Sequence, residues 1–598
     1  MGGKMRRIEM PRRYRLAFFL LLTFSAGCGG GSMSSSITPS GSLTLSLGNS
    51  AAQVFQGQGS SAPVTATLVR SGTTGSVTLT VSGLPAGATD QLQSPGSGNS
   101  GSVTFNAGSS AAGTYPITVA ASDGTLSSTA NLTLTIGASA QIMAGTNGQF
   151  GVAMSTSFQP AEWDNQFFAL NAGAATTLGN LLPQHIRLQG VSQGVPQTSL
   201  TAWDFSTLDA VTQPVLGVGD HSPEFQIAVA PAFMYDSQHN FLDPTYQQFA
   251  AYAQNLVRYY DTGGFTSSDG VFHESPAYPS DTLTWFGIYN EPNFNNLDST
   301  QYTQLYNAVV PALEEVDPSL KFAAVELGDY SGLAQTYLPA FVSGVTAHVD
   351  VLATHFYSTC NQSDSDEKVF STVPGFATEV QSIQAQLQTN PSLVSVPVWV
   401  TENNVNADYD KGGGISACNG TPFVLDLRGS SAFFAAWRPY VFSQLGKVGV
   451  RALYHWDFDA DAQFGEVDYN TDGIQLSYWV DYWLARMFPS PPGGTILQLT
   501  NTDGVEIEVL AVQNPDGSVA IMIANHALNA ASDNNGPGAP RTISVDVSAL
   551  GSFASGSLLT IDANTSVSAG PTATSVTPAP QMTVVFNGYG VAFLTLNN

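Results

Sequence analysis

Between about residues 141 and 489, eight apolar strand-like runs alternate with amphipathic helical patterns, and this alternation predicts a (β/α)8 TIM barrel. Two flanking stretches, about 42–136 and 491–598, break instead into short period-two strands separated by Gly, Ser and Pro turns. That texture predicts antiparallel β-sandwiches. The expected architecture is multidomain, with the barrel flanked by an N-terminal and a C-terminal sandwich.

The eight expected barrel strands are Phe150–Met154, His185–Gln189, Phe225–Ala230, Leu283–Tyr289, Lys321–Glu326, Val351–Tyr357, Val398–Glu402 and Arg451–Trp456. Helical spacing lies between them. The segment Tyr246–Tyr259 places Phe249, Ala253, Leu256 and Val257 on one face. Tyr302–Val310, Ser430–Trp437 and Tyr478–Leu484 have the same texture. The alternative topology is a doubly wound sheet, but no glycine-rich phosphate turn follows the first strand. The breaker run Pro489-Ser-Pro-Pro-Gly-Gly494 closes the barrel. Expected boundaries are therefore 42–138 for the first sandwich, 139–490 for the barrel and 491–598 for the second sandwich.

The N-terminus reads as a targeting segment. Lys4, Arg6, Arg7, Arg12, Arg13 and Arg15 precede an apolar run, Leu16–Phe24, which is too short for a permanent membrane span. Ser25-Ala-Gly-Cys28 follows, then a Gly29-Gly-Gly-Ser32 tether. This pattern resembles a bacterial lipobox, which implies a signal peptide over 1–27, lipidation of Cys28, a flexible tether over 28–41 and export to the cell envelope. An ordinary signal peptide with a chance cysteine is the alternative. The other two cysteines, Cys360 and Cys418, form an even pair that suits a disulfide in an oxidising compartment.

Composition excludes several partners. The net charge is −27, and removing the basic leader with its Glu9 leaves 12 basic against 44 acidic groups, net −32. Such a surface repels nucleic acid and anionic membranes, and it tolerates neutral ligands such as sugars. The membrane contact expected is the N-terminal lipid anchor alone. The eight histidines show no metal-ligand spacing, so no metal is expected.

The chemistry concentrates in two stretches. Trp285-Phe-Gly-Ile-Tyr-Asn-Glu291-Pro-Asn-Phe294 is an apolar strand that closes on a carboxylate and a proline. Val396-Pro-Val-Trp-Val-Thr-Glu402-Asn-Asn404 repeats the pattern. Burying an unpaired carboxylate is costly, so each must have a purpose. On the barrel reading Glu291 ends the fourth strand and Glu402 the seventh, and strand C-termini share one mouth. Two carboxylates facing one mouth are what glycoside hydrolysis needs: one protonates the leaving oxygen and the other attacks the anomeric carbon.

Asn290-Glu291 and Thr401-Glu402 at these positions resemble clan A of the retaining glycoside hydrolases. The resemblance implies that Glu291 is the acid/base, Glu402 the nucleophile, and Asn290 a ligand of the sugar 2-hydroxyl. It further implies that Arg187 holds the nucleophile ionised, that His355 and Tyr357 lie near it, and that Trp456 is an aromatic platform. Within the clan the chain is most similar to family 39, the β-xylosidases and α-L-iduronidases, through Ile186-Arg-Leu-Gln189, Trp203–Asp209, Tyr259–Phe265 and Ile288–Phe294. Tyr289 stands where such families often have tryptophan, and Asn403 replaces an aromatic after the nucleophile. Retention through a covalent glycosyl-enzyme, with no cofactor, is implied. Other clan A activities (endo-glucanase, mannanase or glucuronidase-like) are alternatives, as is a non-catalytic carbohydrate-binding or adhesion protein. The N-terminal sandwich resembles bacterial immunoglobulin-like surface modules, which implies a spacer or a carbohydrate-contacting role.

Trp163, Trp203 and Trp285 are expected in the core. Two literal motifs are set aside. Gly190-Val-Ser-Gln-Gly194 has the G-x-S-x-G form, but the proline that follows argues for a loop rather than a strand–turn–helix. Asp468-Tyr-Asn-Thr-Asp-Gly473 begins like a calcium loop, but Trp479 occupies the twelfth position.

Overall fold

The structure is a computed structural model that describes residues 41–158, 172–181, 186–189, 194–218, 224–280, 282–328, 332–489 and 493–598. The targeting segment with Cys28, Trp163, and residues 190–193 of the G-x-S-x-G stretch lie outside the described residues.

The central unit is a closed parallel barrel of eight strands. In chain order they are Ala153–Phe158, Ile186–Leu188, Glu224–Ile227, Trp285–Ile288, Lys321–Leu327, Val351–Thr359, Val398–Asn406 and Ala452–His455. The eighth pairs with the first, Leu453 opposite Met154, which closes the ring. The sixth and seventh strands are buried along almost their whole length. A parallel strand covered on both faces shows this pattern, and it is why these runs read as continuous apolar stretches rather than alternating ones.

The barrel interior is filled in two different ways. Near the strand starts, Trp285 and Trp399 pack with ring centroids 4.6 Å apart among Ala323, Ala353, Ala452 and Tyr454. Beside this apolar layer the filling turns polar, with Arg187, Glu224, Gln226 and Glu326 all fully buried. Gly287 makes room for these polar groups, because a side chain there would collide with Gln226 and Glu224.

The helices follow their sequence patterns. Gln247–Asp261 buries Phe249, Ala253, Leu256 and Val257, the face that periodicity selects. Ser299–Glu314 opens with a capping box in which Asp298 accepts from the Thr300 and Gln301 N–H groups. Ala432–Lys447 is buried nearly all round. A helix that is apolar on every side must be covered on every side. Here the barrel covers one flank, and the C-terminal sheet strands Val519–Asn525 and Gly590–Asn597 cover the other.

The flanking sheets share a strand. In the first sandwich, Ser42–Leu47, Val64–Ser71, Ser100–Asn106 and Thr89–Gln93 form one sheet. Alternate residues Leu43, Leu45, Val64, Ala66 and Leu68 point into its core. Its other sheet includes Ser127–Gln149, a strand of 23 residues. Residues 127–136 pair with Gly113–Ser122, whereas residues 138–141 pair with Arg541–Asp546 in the C-terminal sheet. The 138/139 boundary expected from composition therefore falls inside one continuous strand. Its second half contributes Ala138, Ala140 and Ile142 to the C-terminal core.

Candidate active site

Glu291, Glu402, Arg187, His355 and Tyr357 converge at the strand ends. Arg187, on the second strand, spreads its guanidinium between several partners, Gln189 Oε1 at 3.2 Å among them. One terminal nitrogen donates to Glu402 Oε1 at 2.9 Å, and the other donates to Asn290 Oδ1 at 2.8 Å and to Glu326 Oε2 at 3.3 Å. His355, on the sixth strand, lies with Nδ1 2.8 Å from Glu291 Oε1 and 3.4 Å from Glu402 Oε2. Tyr357 donates its hydroxyl to Glu402 Oε2 at 2.9 Å. One carboxylate oxygen each of Glu291 and Glu402 lies within 4.8 Å of the other and of His355.

The backbone that presents Glu291 is strained. Tyr289, Glu291, Val325 and Glu326 have φ of 65°, 44°, 82° and 46°. Non-glycine residues avoid this region, and each such residue costs about 1–3 kcal/mol. Hydrogen bonds hold the arrangement. The N–H groups of Tyr289, Asn290 and Glu291 donate to the Ile227, Ala228 and Glu326 carbonyls at 3.1, 3.1 and 3.0 Å. Tyr302, from the helix that follows, donates to the Ile288 carbonyl at 3.0 Å and accepts from the Val325 N–H at 2.7 Å. Gly328 lets the chain pass Glu291, since a Cβ there would lie 2.5 Å from its carboxyl.

Glu326 was not singled out from sequence, yet it is the hub beneath the site. Fully buried at the end of the fifth strand, it accepts from Arg187, from Thr401 Oγ1 at 2.6 Å and from His355 Nε2 at 3.1 Å. The signal was present: Lys321–Leu327 is another apolar strand that carries a carboxylate near its end. Glu224 lies close by and, among the described residues, has only the Arg187 Nε, at 3.9 Å, as an ionic partner. The two acids separate accordingly. Burial and the charge of Glu326 push Glu224 well above the ordinary carboxyl range. For Glu326, burial is overcome by Arg187 and His355, which hold it down to about 2.

The surrounding cations respond in turn. Burial disfavours charge on His355, but Glu402, Glu291 and Glu326 outweigh it and raise the imidazole to about 9. Arg187 is likewise held charged, because Glu326, Glu402 and Glu224 outweigh its burial. Burial raises the Glu402 carboxyl above its ordinary value, and His355 and Arg187 oppose that rise.

Trp456 lies 6% exposed against Ala460 and Phe464, with Tyr357 and Tyr409 packed on the same cluster. It therefore borders the Tyr357 side of the site. Asn403, in the position of the more usual aromatic, donates to the Phe356 carbonyl at 2.6 Å and accepts from Arg438. Arg438 grips Asp481 with two bonds of 3.0 and 2.9 Å. Asn403 is thus tied into a buried network behind the strand and turned away from the mouth. Tyr289 is also turned away. It is 1% exposed, packs on Phe241 and Phe249, and its hydroxyl lies 3.1 Å from that of Tyr235. Its exchange for tryptophan concerns packing behind the mouth. Cys360 and Cys418 stand as a disulfide with Cα atoms 5.9 Å apart, joining the loops after the sixth and seventh strands. Trp203 stacks in the core on Phe205 and Tyr252, and Trp285 packs inside the barrel.

No protein-family profile matches the chain, and no curated protein matches it. Solved structures do. A GH39 enzyme from Xanthomonas axonopodis pv. citri is similar with a TM-score of 0.52 at 15% identity, over 77% of this chain and 97% of that one. A monomeric beta-xylosidase from Caulobacter crescentus CB15 gives a TM-score of 0.54 at 16% identity, over 77% and 99%. A GH51 alpha-L-arabinofuranosidase from Thermotoga petrophila RKU-1 gives 0.53 at 11%, over 77% and 99%. The chain has the fold of these glycoside hydrolases. The barrel and the flanking β-sheet regions expected from sequence are both part of it.

Proposed function

We propose that this protein is a retaining glycosidase, β-xylosidase-like in its substrate, with Glu291 as acid/base and Glu402 as nucleophile. The observation that carries the reading is the spacing of the two carboxyls, with one oxygen of each within 4.8 Å. Retaining enzymes hold the pair about 5–5.5 Å apart, whereas inverting enzymes need about 6.5–9.5 Å to admit a water between them.

In the first step a Glu402 oxygen bonds to the anomeric carbon while the glycosidic C–O bond breaks, and the Glu291 proton passes to the departing oxygen. In the second, Glu291 takes a proton from water, the resulting hydroxide bonds to the anomeric carbon, and the ester bond to Glu402 breaks. Arg187 and the Tyr357 hydroxyl fix Glu402 for attack. Both contacts are charge-assisted, and both favour its ionised form. In this reading Asn290, steadied by Arg187, binds a sugar hydroxyl, and Trp456 serves as the aromatic platform. The β-xylosidase-like assignment is supported by the neighbouring structures named for that activity. Export as a lipid-anchored envelope protein rests on the sequence around Cys28.

The test is chemical rescue. Glu402→Gly should reduce hydrolysis of an aryl β-xyloside by at least about a thousandfold, and added azide should restore turnover as a glycosyl azide of inverted configuration. Unimpaired hydrolysis by Glu402→Gly would refute the nucleophile assignment.

A further inference from the structure

Immediately beyond Glu291 the chain presents an aromatic ring to solvent. Phe294 is 60% exposed. A single exposed phenylalanine needs no explanation by itself, so its position must carry the argument. An ideal Cβ on Gly328 would lie 2.5 Å from the Glu291 carboxyl and 2.6 Å from the edge of the Phe294 ring. Ring edge and carboxyl therefore sit side by side over Gly328.

The ring is also held in place. The Phe294 N–H donates to the Glu291 carbonyl at 2.9 Å, and the Asn295 amide donates to the Asn290 carbonyl at 2.9 Å. Asn293 Oδ1 accepts from the Gly328 N–H at 3.1 Å. The turn from Glu291 to Asn295 is thus closed on itself and fixed to the fifth strand. A groove of about 590 Å³ opens beside Phe294, lined also by Asn293, Asn296, Asp298, Thr336 and Tyr337. Amide, hydroxyl and carboxylate groups beside an exposed aromatic ring make a surface suited to a neutral sugar, with a ring to stack and hydroxyls to hydrogen-bond.

We propose that Phe294 and this groove form the leaving-group site, which takes one or more further sugar residues of a neutral oligosaccharide on the side of the scissile bond that departs. The inference rests on Glu291 being the proton donor. A donor must lie against the glycosidic oxygen, so the departing sugar must lie on the donor's outer side, where Phe294 and the groove are. The preferred substrates are then oligosaccharides rather than glycosides with a small leaving group.

The experiment compares xylotriose with β-xylosyl fluoride, whose leaving group is a single atom that needs no groove. The ratio of kcat/KM for xylotriose to that for the fluoride should fall about tenfold in Phe294→Ala. It should return towards the wild-type ratio in Phe294→Tyr. Equal losses on the two substrates in Phe294→Ala would overturn the inference, because the ring would then be acting on the whole site. Wild-type turnover of the fluoride but not of xylotriose would overturn it too. If the wild type turns over neither, the proposed activity itself falls, an outcome distinct from both.

Discussion

Replacing Glu326 with glutamine keeps the shape beneath the site and removes one buried charge. The expected cost follows from the contacts. Glu326 accepts charge-assisted hydrogen bonds from Arg187 and His355. Each such bond is worth about 1 kcal/mol more than a neutral one, so Glu326→Gln should lose about 2 kcal/mol of stability. Part of that is recovered as Glu224, freed of its neighbour's charge, ionises more readily. The effect on His355 is more specific. Its rise from 6.5 to about 9 is produced against burial by three carboxylates, Glu402, Glu291 and Glu326. That rise, net of burial, represents roughly 3 kcal/mol, so losing one of the three should remove at least about 1 kcal/mol, close to one pH unit. The sign is fixed by linkage. A raised histidine contributes stability that is complete below its unfolded value and is lost as pH climbs through the folded one. In the wild type this window spans 6.5 to about 9. In Glu326→Gln it should close about one unit earlier. Urea unfolding between pH 6 and 10, together with the basic limb of kcat/KM on an aryl β-xyloside, reads both effects. A basic limb that stays in place while stability drops would show that Glu326 only fills space, and would refute the proposed coupling to His355.

Two further outcomes are expected. Cys360→Ser with Cys418→Ser releases a 58-residue separation, so stability should fall by about 2–4 kcal/mol. Because the bond joins the loops after strands six and seven, KM should rise more than kcat falls, as read by steady-state kinetics with and without reductant. Cys28→Ala in the full chain should move the protein from the membrane fraction to the soluble fraction and abolish incorporation of labelled palmitate. Unchanged labelling would exclude lipidation at that residue.

Much of the fold was legible because its signals are local. Parallel strands buried on both faces write continuous apolar runs, and helices packed on one side repeat every three to four residues. A carboxylate that ends an apolar run is also a local signal, and it found Glu291 and Glu402. It would have found Glu326 had the fifth strand been read as the fourth and seventh were. What the motif could not convey was direction. Tyr289 lies two residues before Glu291 and Asn403 directly follows Glu402, yet strand pleating and the turn at Glu291 point them into packing and a buried network instead of the mouth.

The sequence by itself determined the barrel, the flanking sheets and the candidate acids, because hydrophobic periodicity and strand-end chemistry depend on neighbours along the chain. Only the tertiary structure decided the approach of Glu291 and Glu402 to within 4.8 Å, the Arg187–Glu326–His355 network beneath them, and the strand from Ser127 to Gln149 that serves two sheets. Those features depend on barrel closure, which brings strand ends more than a hundred residues apart into one charged layer. In that layer the low polarisability of the interior makes each charge depend on the others.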